Sequence, residues 1–111
     1  MLIRRLLAFA LLAATLTAPV AARAADANFT LTIKDRKFDV AQLQVPASVK
    51  FTLTVKNLDA APSEFESGDL NREKVVVGGG TVIIYLGPLT PGRYEFFDDF
   101  NPTARGTIVA K

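Results

Sequence analysis

Lys50-Phe51-Thr52-Leu53-Thr54-Val55-Lys56 alternates polar and apolar residues without a break. Side chains on a strand alternate with a period of two, whereas a helix needs apolar residues three and four apart. This stretch therefore reads as a strand with one buried face. Phe29–Lys34, Leu43–Val45 and Gly92–Phe96 alternate in the same way, Arg72–Val77, Thr81–Leu86 and Gly106–Ala110 read as further strands, and turn residues separate the runs. No segment after residue 24 has a helical period. Short strands at near-regular spacing with Gly/Pro turns predict an all-β sandwich. Three local expectations accompany this reading. Gly78-Gly79-Gly80 would close a hairpin, Val82-Ile83-Ile84 would be buried on both faces, and a short helical turn would sit around Asp69–Glu73.

The first residues follow a different logic. Arg4 and Arg5 precede an apolar run, Leu6–Leu16, and Ala22-Arg23-Ala24 supplies small residues around a cleavage point. This is the pattern of a secretory signal peptide, residues 1–24, cleaved near Ala24. The run is short for a transmembrane helix, so the expectation is an exported, periplasmic protein without stable membrane insertion. The folded domain would be residues 26–111. Of the 13 basic residues, Arg4, Arg5 and Arg23 leave with the leader, while all 11 acidic residues stay. The formal +2 then becomes −1, and the compositional argument for nucleic-acid binding disappears.

The chain has no His and no Cys, and its one Met is Met1. A histidine general base, a thiol nucleophile and zinc sites built on Cys or His are excluded. Any metal must be held by oxygen. The candidates lie in two stretches, Ser63-Glu64-Phe65-Glu66-Ser67 and Tyr94-Glu95-Phe96-Phe97-Asp98-Asp99-Phe100-Asn101. Glu64 and Glu66 are two apart and share one face of a strand. Asp98 keeps the parity of Tyr94 and Phe96, so the core face ends in a carboxylate. It is either a metal ligand or a buried carboxylate that accepts backbone N–H groups. Asp99 has the opposite parity, and Asn101 precedes Pro102 as a turn residue or a weak neutral ligand. Lys74 or Arg72 could neutralise the glutamates, and Glu73 and Asp69 are outlying acidic neighbours.

Taken together, Val45-Pro46 with Lys50–Asn57, Pro62–Ser67 and Pro91–Asp98 resemble the cupredoxin-like family. In particular, the chain is similar to small periplasmic cupredoxin-like proteins of bacterial iron uptake. These resemble the N-terminal domain of the periplasmic protein of the oxidase-dependent ferrous-iron permease system. The resemblance implies a Greek-key β-sandwich. In blue-copper members the first histidine would fall at Glu64, the thiolate at Asp98 and the second histidine near Asn101, with no counterpart of the axial methionine. Type 1 copper, which needs two His and a Cys, is excluded. Carboxylates favour hard cations.

The resemblance thus implies a periplasmic metal-binding accessory protein of iron uptake. It would bind iron, or a copper ion, through Glu64, Asp98, Glu66, Asp99 and Asn101. Its partners would be an iron permease and other periplasmic components, to which it hands metal or electrons. Ferroxidase-type activity would require an electron acceptor that the sequence does not reveal. The alternative is a metal-free module whose acidic-aromatic end docks a protein partner. No nucleophile–base pair can be drawn from these residues, which argues against a hydrolase.

Overall fold

The computed structural model describes residue 10, residues 12–15 and residues 27–111. The leader's cleavage region and residue 26 lie outside the described residues. The described residues form nine strands: β1 (Ala27–Lys34), β2 (Lys37–Phe38), β3 (Gln42–Val45), β4 (Phe51–Asn57), β5 (Ser63–Ser67), β6 (Arg72–Val76), β7 (Thr81–Leu86), β8 (Gly92–Asp98) and β9 (Asn101–Ala110). They form two sheets, ordered β2-β1-β4-β7 and β3-β9-β8-β5-β6. Two pairs, β1/β4 and β3/β9, are parallel, so the chain crosses between sheets instead of meandering within one. The fold is an all-β sandwich.

The alternation in β4 does what its period demands: Phe51, Leu53, Val55 and Asn57 are all buried. Phe51, Leu53 and Val55 meet Phe65, Phe96 and Ile108 from the second sheet in one core. Phe96 stacks on Phe65, with ring centroids 5.4 Å apart, and takes the edge of Phe38 at 5.0 Å. Opposite Phe96 on β9 stands Gly106, where a Cβ would lie 2.3 Å from the ring. Only glycine leaves room for that phenylalanine.

The structure corrects three local expectations. The turn at Gly78-Gly79-Gly80 is tight, but it is no hairpin, because β6 and β7 belong to different sheets. It carries the chain across the sandwich, passing so close to the Asp59–Ala60 backbone that a Cβ on Gly78 would overlap the Ala60 carbonyl. Val82-Ile83-Ile84 is not buried on both faces: β7 is an edge strand, and Ile83 and Tyr85 point outward at 53% and 73% exposure. Around Asp69 there is no helical turn. A hairpin turn runs through Gly68–Asn71, closed by the Asn71 amide on the Gly68 carbonyl, and Arg72 already begins β6.

Candidate metal centre

The candidate residues are set in place by β5, which runs between β6 and the end of β8. Asn57, the last inward residue of β4, anchors the approach to it. Its buried amide donates to the carbonyls of Ala61 (2.8 Å) and Val76 (3.1 Å) and accepts the Asp59 N–H. At the far end of β5, Ser67 donates to the Glu95 carbonyl and accepts the Leu70 amide. Asp69 accepts the Glu95 amide and so serves the turn. Both ends of the strand are pinned, and its register is fixed.

That register decides which charges meet. On β6, Val75 lies opposite Glu64 and Glu73 opposite Glu66, while Lys74 faces Phe65 and Arg72 faces Ser67. Directly opposed residues share a face of a sheet. Lys74 and Arg72 are therefore sent to the other face, and neither neutralises the glutamates. Two like charges, Glu66 and Glu73, stand directly opposite instead, an arrangement that costs stability on its own.

On the other side, β8 pairs Phe65 with Asp98 and Glu66 with Phe97. The parity expected of Asp98 holds: it is 2% exposed and on the core side of the sheet. Its Oδ1 accepts the amides of Glu64 (2.9 Å) and Phe100 (3.0 Å), while the next amide, that of Asp99, donates to the Glu64 carbonyl (3.0 Å). Asp98 thus occupies the second of the two roles left open for it, a buried carboxylate held by backbone donors. It ties Glu64 to the β8–β9 hairpin. Asn101 is also engaged away from the glutamates: it donates to the Arg36 carbonyl and accepts the Thr103 hydroxyl.

The pleat separates the expected ligand set. Asp98 points inward, whereas Glu64, Glu66 and Asp99 gather on the outer face, each offering a carboxylate oxygen within 4.8 Å of the others. Glu64 is 6% exposed, and its Oε1 is buried with no hydrogen-bond partner. Its carboxyl is raised to about 7. The main cause is the adjacent Glu73 carboxyl, which can share a proton with it; burial and the charges of Glu73, Asp99 and Glu66 add to this. Burial also raises Glu66, reinforced by the charges of Asp99 and Glu73 and by a hydrogen bond to Asp99. Every cause acts in one direction, and among the described residues no cation offsets them. A site of converging carboxylate oxygens, one of them buried without a donor, can accept a proton or a hard cation.

Sequence reasoning undervalued Glu73. The signal was present, because Glu66 and Glu73 become cross-strand partners once a four-residue turn is placed between β5 and β6. Assigning that turn as helical hid the pairing. The aromatic residues divide as well: Phe96 is core, Phe97 lies half-buried under the Arg105 guanidinium at 5.0 Å, and Phe100 is 48% exposed.

Comparison with known proteins places this geometry in context. A curated relative, an uncharacterized protein of Rickettsia prowazekii (strain Madrid E), is 48% identical over 80 residues, covering 71% of this chain. The chain spans only 64% of that relative's length. Auracyanin A, a "blue" copper protein of Chloroflexus aurantiacus, superposes with a TM-score of 0.66 at 15% identity, covering 78% of this chain and 99% of its own. The metal-binding domain of the Cu(I)-exporting P-type ATPase CopA of Streptococcus pneumoniae D39, solved with Cu(I), gives 0.62 at 15% identity, covering 76% and 84%. At these identities the structures share a fold. A type 1 copper centre does not fit this chain, which offers neither thiolate nor imidazole. Among the described residues, no helix is long and apolar enough to cross a membrane. The family model for the cupredoxin-like domain matches residues 6–110, and the chain belongs to that family.

Proposed function

We propose that this protein is a periplasmic metal-binding accessory protein of iron uptake. Glu64, Glu66 and Asp99 hold a hard cation, iron in the first place, on the outer face of the five-stranded sheet. Asp98 acts as a positioning residue, fixing the Glu64 backbone against the β8–β9 hairpin, and Asn101 secures the far side of that hairpin. The protein hands its metal to a membrane permease system, a role supported by the resemblance to iron-uptake cupredoxins. The observation that carries the reading is the buried, partnerless Oε1 of Glu64 among carboxylates that, among the described residues, no lysine or arginine pairs with. Burying such an oxygen without a partner is costly, and a cation bound there removes the cost.

A metal-free docking module is the competing reading, favoured by Val75 and Phe100, which are 47% and 48% exposed. Anaerobic calorimetric titration with Fe(II), Cu(II) and Mn(II) separates the two. Stoichiometric binding that disappears in Glu64→Gln supports the metal site. A folded protein that takes up none of these ions contradicts it and leaves the docking module.

A further inference from the structure

We infer that Glu73 completes this site as a fourth carboxylate and tunes it to a trivalent rather than a divalent cation. The inference rests on the metal-binding reading above and deepens it. Four observations meet at Glu73. The β5–β6 register sets it directly across from Glu66, on the face that carries Glu64 and Asp99. The same register sends its neighbours Arg72 and Lys74 to the opposite face, so the acidic group receives no counter-charge from β6. Its carboxyl approaches that of Glu64, whose second oxygen is buried without a donor. Finally, β6 is the edge strand of its sheet, and Glu73 is exposed, which leaves this side chain free to turn onto an ion.

The selectivity follows from charge. Coulomb attraction scales with the product of the charges, so each added carboxylate favours M(III) over M(II). Four carboxylates around a trivalent ion leave one net negative charge; around a divalent ion they leave two, with the mutual repulsion less relieved. Oxygen-only donors suit hard ions of either charge, so the count of carboxylates, and not the donor type, discriminates between them.

The test uses terbium(III) and manganese(II) as probes on the wild-type protein and on Glu73→Gln, Glu64→Gln and the remote charge control Asp35→Asn. In Glu73→Gln the terbium affinity falls about tenfold more than the manganese affinity. Terbium luminescence lifetimes in light and heavy water report about one additional bound water where the carboxylate has left. Asp35→Asn changes neither. Equal losses for both ions, or a Glu73→Gln that behaves like the control, overturn the role of Glu73 while leaving the site itself standing. If wild type and Glu64→Gln are alike for both ions, the metal-binding reading falls, and this inference with it.

Discussion

Asp98 and Asp99 are adjacent in the chain and have opposite fates. Asp98 faces the core side, and its Oδ1 is met by two backbone amides. Asp99 faces the outer side and joins Glu64 and Glu66, where the Glu64 Oε1 is buried without a hydrogen-bond partner and the neighbouring groups are themselves carboxylates. Burial alone does not mark a functional carboxylate: Asp98 is the more deeply buried of the two types and is structural. The informative quantity is the balance between acceptors and donors. Where donors are present the carboxylate builds the fold, and where they are missing it holds capacity for a ligand.

The largest effect should come from removing the satisfied member. Asp98→Ala strands the buried amide of Glu64 and the partly buried amide of Phe100 and should cost about 2 kcal/mol in chemical denaturation. Asp98→Asn, which keeps an acceptor, should cost clearly less. Next comes the unsatisfied side. Glu64→Gln should abolish metal binding yet raise the apo melting temperature, because it removes repulsion and leaves packing intact. A drop in melting temperature would show that Glu64 already has a partner.

The pH dependence sharpens the same contrast. A carboxyl raised in the folded state favours the protonated fold. Its contribution to stability is therefore fully present below the ordinary value of 4.5 and is lost as pH rises through about 7. The apo protein should melt at progressively lower temperature between those limits, and Glu64→Gln should flatten the slope. A bound cation should reverse it, since the ionised form is then the stabilised one. The smallest effect is at the edge of the acidic face. Arg105→Met removes a guanidinium from the Phe97 ring and should cost about 0.5 kcal/mol in chemical denaturation.

The strands and their faces were legible because period-two alternation is local. Phe51, Leu53 and Val55 had nowhere else to go, and the parity of Asp98 followed from Tyr94 and Phe96. What sequence could not supply was non-local. Whether Asp98 met a cation or an amide depended on the backbone of Glu64, 34 residues away. Which of Arg72, Glu73 and Lys74 faced the glutamates depended on a one-residue choice of register, since a single-residue slip exchanges the faces of a strand. The exposure of Ile83 depended on β7 lying at a sheet edge, which is set by strand order and not by the composition of the strand.

The adjacent aspartates also give the most direct test. Manganese(II) affinity would be measured by calorimetry in Asp98→Asn and Asp99→Asn, two substitutions with the same chemistry on opposite faces of one strand end. The outer-face site predicts that Asp99→Asn loses at least about tenfold in affinity, while folded Asp98→Asn binds nearly as wild type. The reverse, with binding lost in Asp98→Asn and retained in Asp99→Asn, would place the metal on the core side and contradict the account.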